Sequence, residues 1–190
     1  MKKLWTIVIL TIPERKQLLE RLLARLEPQL NDQVEIKLYP DTVATVGAKR
    51  QQAVEQCKST YINFIDDDDL VPANYVSKIL EKLKYMPCGV GFRGIVTSNN
   101  IKPVEFVHRA GLRYIDKAFR STDCYIFHRP LNHLNPIRTE YAKEIGFNDI
   151  NFGEDKDYSV RLAESGLITD DVFIDEFMYF YMYRDKFVKV

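Results

Sequence analysis

The densest chemical signal in the chain is Tyr61-Ile62-Asn63-Phe64-Ile65-Asp66-Asp67-Asp68-Asp69-Leu70. An apolar, β-branched and aromatic run of this kind reads as a buried strand. It ends in four adjacent carboxylates, which repel one another and need compensation. A divalent cation is the simplest compensator, and hard carboxylate oxygens suit Mn²⁺ or Mg²⁺ completed by substrate phosphates. In an extended chain alternate side chains share a side, so Asp66 and Asp68 are paired and Asp67 points away. Asp67 is therefore the acid expected to tolerate change best. The plainer alternative is a solvated acidic turn before a helix N-terminus.

A second acidic block, Gly153-Glu154-Asp155-Lys156-Asp157-Tyr158-Ser159-Val160-Arg161-Leu162, reads as a helix start. Acids there complement the helix dipole, and Asp157 with Arg161 makes an i,i+4 pair. Either Glu154 or Asp155 is also placed to act as a general base. Two acidic sites of unlike role suit a transfer in which one holds a metal beside a leaving diphosphate and the other takes a proton.

These sites need elements to hold them. Strands are expected at Leu4–Leu10, Val34–Tyr39, Tyr61–Ile65 and Gly89–Thr97. Helices are expected after Thr11 (a candidate cap), over Ala48–Cys57 and from Pro72 to about Tyr85. This alternation predicts a mostly parallel sheet with helices on both faces, and ligands beyond the strands' carboxyl ends. Thr11, Asp41 and Asp66 all sit at such ends. The second half is less regular. Short strands are expected near Val104–His108, Leu112–Ile115 and Cys124–His128, a helix over Arg138–Ile145 with Gly146 as its cap, and the helix opened by Gly153. An aromatic tail, Val172 to Val190, reads as core or lid edge. The change of pattern near Asn99 divides two lobes of one domain, 1–98 and 99–190.

Composition bounds the remainder. At 190 residues, with 46% hydrophobic and 28% charged, the chain suits one globular domain. Lys+Arg and Asp+Glu both total 27, which gives no global pull toward nucleic acid or anionic lipid. Cys57, Cys88 and Cys124 show no metal spacing and read as buried thiols in a reducing, cytoplasmic setting. Met1-Lys2-Lys3 and the apolar run after it mimic a short signal peptide but lack a cleavage site, and no stretch is long enough for membrane insertion.

Four segments in order resemble a small inverting glycosyltransferase of the GT-A fold, family 2-like, of the compact kind found in phages and some bacteria. They are Thr11-Ile12-Pro13-Glu14-Arg15, Gly47-Ala48-Lys49-Arg50-Gln51-Gln52-Ala53, the Phe64–Asp69 acids and the Gly153–Leu162 block. In the second of these, Gln51 or Gln52 stands where the family usually has Asn. The resemblance implies a Rossmann-like α/β fold, with donor binding in the first half and a smaller, irregular acceptor-side lobe in the second. It implies Mn²⁺ or Mg²⁺, a UDP-sugar as donor, and a saccharide or a modified nucleic-acid base as acceptor.

Carried over residue by residue, it puts Asp66 toward the donor ribose, with Asp67 beside it among the donor-binding acids, and Asp68 on the metal. Asp69 and His133 are further metal candidates. Asp41 contacts the nucleotide base in a pocket lined by Thr11, Pro13 and Arg15. Lys49 and Arg50 contact the nucleotide or its diphosphate. Asp155 is the catalytic base, and Glu154 faces donor or acceptor. The segment from Lys102 to Arg138 carries seven Lys/Arg against three acids, which suits an anionic acceptor.

Three rivals are weaker. A sugar-phosphate nucleotidyltransferase needs a glycine-rich loop after the first strand, and none is present. A dehalogenase-type phosphatase needs Thr or Val after its Asp-x-Asp pair, and this chain has Asp69-Leu70. A nucleotide-sugar-binding module without catalysis does not account for intact acids at both sites.

Overall fold

A computed structural model describes residues 2–40, 44–99, 101–115, 117–120 and 125–183. Asp41, Cys124 and the last seven residues of the tail lie outside the described residues. β1 (Trp5–Leu10) lies between β2 (Val34–Tyr39) and β3 (Tyr61–Phe64), parallel to both. β1 and β3 are buried along nearly their whole length and mostly apolar because both of their faces are covered. Asn63 is the polar residue inside β3. It accepts from Trp5 Nε1 at 2.8 Å and donates to the Tyr75 hydroxyl and the Leu134 carbonyl, both at 3.0 Å. A buried amide satisfied on both ends fixes register instead of destabilising the core.

The expected fourth strand, β4 (Val90–Ser98), lies in a second sheet. Its neighbours are β5 (Ile101–His108), antiparallel, and β9 (Val172–Tyr183), parallel. β7 (Tyr125–Arg129) and the short β6 (Phe119–Arg120) complete it in the order β6-β7-β5-β4-β9. Position 98/99, where the two halves were expected to divide, is the turn of the β4–β5 hairpin, with Asn99 at φ 52°. Residues 112–115, expected as a strand, are irregular. β8 (Ile137–Arg138) is only two residues long, too short for a periodic signal, and runs antiparallel to β3.

The helices are α1 (Lys16–Leu26), α2 (Val46–Gln56), α3 (Tyr75–Leu83), α4 (Thr139–Ile145) and α5 (Glu154–Glu164). Thr11 does not cap the turn that leads into α1. Ile12 occupies that position, and the Thr11 hydroxyl turns to the Ile12 carbonyl at 3.4 Å. α2 is capped by Thr45, whose side chain accepts from the Ala48 N–H. Gly146 ends α4 at φ 61°, as its sequence position suggests.

Gly47 brings α2 against the loop before α5. Its N–H bonds the Ile150 carbonyl at 3.0 Å, and a Cβ there would lie 1.9 Å from the Asn148 carbonyl oxygen. Gly47→Ala should therefore destabilise by about 1–3 kcal/mol as overpacking, lowering the melting midpoint by roughly 2–4 °C per kcal/mol for a chain of this size. An unchanged midpoint in a thermal melt would show that the loop yields freely.

Candidate active site

The acidic run is a turn, not a strand end. β3 stops at Phe64, and the Asp69 N–H closes onto the Asp66 carbonyl at 3.1 Å. The strand rule of alternating sides therefore fails for Asp66 to Asp69, and the four acids take four different environments.

Asp66 is half-buried. Arg50 Nη2 lies 3.1 Å from its Oδ1, and His133 Nε2 lies 3.8 Å from its Oδ2, beyond hydrogen-bonding reach. Burial alone would raise its carboxyl, but His133, Arg50 and Arg15 outweigh that and hold it well below the usual carboxylate range. Asp67 is 2% exposed, and its Oδ1 accepts from Arg15 Nη1 at 2.9 Å. This corrects two expectations. Asp67 anchors Arg15 and is not the tolerant position, and its carboxylate is turned to Arg15 because the turn places it there.

Asp68 is the open member, with one contact from Arg15 at 3.4 Å. Burial pushes its carboxyl up; Arg15 opposes this, and the charges of Asp66 and Asp67 add to it. Its backbone carbonyl accepts from Arg21 at 2.6 Å.

Asp69 is 0% exposed. Its Oδ2 accepts from the Tyr179 hydroxyl and its Oδ1 from the Met182 N–H, both at 2.7 Å. Burial and the charge of Asp66 push this carboxyl well up, against the pull of those two donors. Both oxygens are committed to β9, so Asp69 is a structural pin and not a metal ligand. Tyr179 also receives the Asp66 N–H at 3.2 Å, and Leu70 bridges Phe180. The pairing of β9 with β4 shifts register between Phe92 and Gly94, which bends the strand across the acidic turn.

The second acidic block lies on the other wall. Gly153, at φ 82°, starts α5. Glu154 is buried and turns inward to Arg50, with Oε1 2.8 Å from Nη1. That replaces its expected role toward a sugar. Asp155, the next residue, is half-buried, and its side chain has no hydrogen bond or ion pair among the described residues. Asp157 pairs with Arg161 at 2.7 Å, as the spacing suggests.

Arg50 is 4% exposed and spans the two acidic sites. Its guanidinium carbon also lies 5.5 Å from the Phe64 ring centre and 5.9 Å from that of Phe147. It holds the site together from beneath, where nucleotide contact was expected. Lys49 is buried on the same helix and lines the acidic-turn side of the crevice.

The crevice has two connected lobes of 460 and 580 Å³ that share Arg50, Asp66, Phe152 and Tyr181. Thr11, Arg15, Lys49 and Asp68 line the first; His133, Glu154 and Asp155 line the second. Pro13 faces outward, and Ile12 takes the lining position. Asp41 lies outside the described residues. A larger concavity of 780 Å³ surrounds Lys3, Lys58 and Lys143 at the strands' opposite end and holds none of the candidates.

Sequence reasoning missed Phe152, Tyr114 and His108, and it read Tyr181 and Arg129 only as members of the aromatic tail and of the basic segment from Lys102 to Arg138. Phe152 is 94% exposed and adjoins the α5 start, a signal a reader of the sequence had in Phe152-Gly153-Glu154. His108 is buried against the Phe106 ring at 4.6 Å and bonds Asn135 through Nδ1 at 2.9 Å. Burial pushes its pKa down to about 3, so the imidazole stays neutral.

Residues 17–146, more than half of the chain, match the family described as Glycosyl transferase family 2. The chain belongs to that family. S. aureus TarS 1-349 in complex with UDP-GlcNAc aligns with a TM-score of 0.65 at 12% identity, covering 100% of this chain and 62% of that one. TarS 1-349 in complex with UDP gives 0.64 at 13%, covering 96% and 60%. The likeness is one of fold, the GT-A α/β arrangement, and this chain spans less than two thirds of those structures. A comparison with curated proteins found no match. No helix among the described residues is long and apolar enough to cross a membrane.

Among the described residues no three acids, cysteines or histidines cluster as a complete metal cage. Mg²⁺ and Mn²⁺ sites of transferases need only one or two carboxylates, with phosphates and water completing the shell. Asp68 has an open oxygen, and both His133 ring nitrogens are buried without a hydrogen-bond partner. Those residues fit such a cation, whereas Asp69 does not.

Asp68 and Asp69 therefore make opposite predictions. Asp69→Asn leaves one of two buried donors without its acceptor and should cost about 1–3 kcal/mol. Asp68→Asn should leave the melting midpoint within a degree or two while abolishing any Mn²⁺-dependent gain in UDP affinity. Melting curves and UDP titrations with and without Mn²⁺ on both variants check this, and the reverse pattern would exchange the two roles.

Proposed function

We propose that the chain transfers a sugar from a nucleotide sugar, with UDP as the nucleotide, to an acceptor hydroxyl with inversion at the anomeric carbon. The acceptor hydroxyl belongs to a saccharide or a modified nucleic-acid base. The observation that carries this is that Asp68 lines one lobe and Asp155 the other of two adjoining lobes, with family membership setting the reaction class. TarS, which shares the fold, is solved with UDP-GlcNAc, making that donor the first to try.

In the proposed reaction, Asp155 accepts the proton of the acceptor hydroxyl as its oxygen bonds to the anomeric carbon. The bond from that carbon to the diphosphate breaks, and its electron pair leaves with UDP. Arg15, fixed by Asp67, and Lys49 line the lobe where the diphosphate would lie. Asp68, with His133, would help hold Mn²⁺ or Mg²⁺, phosphates and water completing the shell, and such an ion neutralises charge on a leaving diphosphate. Glu154 does not touch substrate in this scheme. It keeps Arg50 in place and, through the first turn of α5, orients its neighbour Asp155.

Asp155 is in the first turn of α5 and lines the larger lobe of the crevice. Asp155→Asn should lower kcat by roughly 10²–10⁴ and leave the affinity for UDP unchanged. The measurement is UDP release across a panel of nucleotide sugars and acceptors, with Mn²⁺ and with chelator. Full activity in Asp155→Asn would remove Asp155 as the base. UDP binding without turnover in the wild type would instead favour a binding module.

A further inference from the structure

The larger lobe of the crevice, which Asp155 also lines, holds an arginine with no acid to answer it among the described residues. Arg129 ends β7, and its guanidinium carbon lies 4.2 Å from the Tyr114 ring centre and 4.9 Å from that of Phe127. Its Nη1 is buried with no hydrogen-bond partner, and no carboxylate pairs with Arg129 among the described residues. Arg93 and Arg161, also half-buried, are answered by acids: Arg93 by Glu105 and Asp175, Arg161 by Asp157. Aromatic faces attract a cation but do not satisfy its N–H groups.

The acids that line this lobe do not answer it. Asp66 and Glu154, which also line this lobe, are already engaged by Arg50. His108, kept neutral by burial, adds no charge there. The remaining acid is Asp155.

We propose that Arg129 is the subsite for an anionic group on the acceptor, a phosphate or a carboxylate borne near the reacting hydroxyl. This rests on the reading of Asp155 as the base and of the larger lobe as the acceptor side. A guanidinium fork matches both anions in two-point contact. It would answer the buried Nη1.

The test uses three probes of one skeleton: glucose, glucose 6-phosphate and glucuronate. Each is titrated calorimetrically into the protein saturated with UDP and Mn²⁺, so that the diphosphate lobe is filled. At least one anionic probe should bind on the order of tenfold or more tighter than glucose, as a charge-assisted hydrogen bond implies. The tighter of the two names the anion. Arg129→Gln should abolish that preference, Arg129→Lys should restore only part of it, and UDP affinity should stay within about twofold in both.

Equal binding of all three probes by the wild type, or by none, overturns the proposal. So does an Arg129→Gln variant that loses UDP affinity along with the probes, because that marks a structural role. The two levels of the reading fail separately. Arg129-dependent anion binding without sugar transfer to any acceptor would keep the subsite and remove the transferase. Transfer to neutral acceptors untouched by Arg129→Gln would do the reverse.

Discussion

The site depends on one buried cation. Arg50 sits between the carboxylate of Asp66, at 3.1 Å, and that of Glu154, at 2.8 Å. The first belongs to the turn after β3 and the second to the start of α5, elements far apart in sequence. An unpaired guanidinium in that position would be strongly destabilising, and so would either acid without it. Together they are tolerable, and the arrangement is rigid because each charge is compensated only in this geometry. Phe64 and Phe147 close the space around Arg50 and keep water from screening it. The spacing of the acidic turn and the start of α5 is thereby set by a structural ion triad, and Asp68 and Asp155 line the crevice beside it.

β9 supplies the second constraint. It belongs to the second sheet through β4, yet it bends over the first sheet's acidic turn and holds it through Tyr179, Phe180 and Met182. Burial raises the Tyr179 phenol far above its ordinary range, which keeps it a proton donor to Asp69. β9 therefore fixes the shape of a loop more than a hundred residues earlier. Tyr181, on the same strand, reaches the crevice wall. A strand that both braces the acids and lines the cavity couples folding of the tail to assembly of the site.

The strands and helices of the first half were legible because their apolar periodicity is strong: Val34–Tyr39 is β2 to the residue. The pairing of Asp157 with Arg161 and the cap at Gly146 were legible for the same local reason. What local pattern could not carry was partner identity. Lys49 and Arg50 are equivalent as adjacent cations, and only the fold sends Arg50 under the site. Asp69 looks like a fourth acid for a metal until β9 is placed over it. Asp67 looked tolerant because a strand rule was applied to a turn. β4 fell into the wrong sheet because a strand's partners are set by distant segments, here β9 and β5, that no window of sequence contains.

The central claim, that Arg50 joins the two walls through Glu154 as well as Asp66, is tested most directly by a double-mutant cycle on unfolding free energy. The variants are Arg50→Met, Glu154→Gln and both together, compared with the wild type by denaturant titration. The account predicts a coupling energy in the upper part of the roughly 0.5–3 kcal/mol seen for residues in contact, because each single change leaves a buried charge unanswered. Effects that add to within about 0.5 kcal/mol would show that the two side chains act independently and would contradict it.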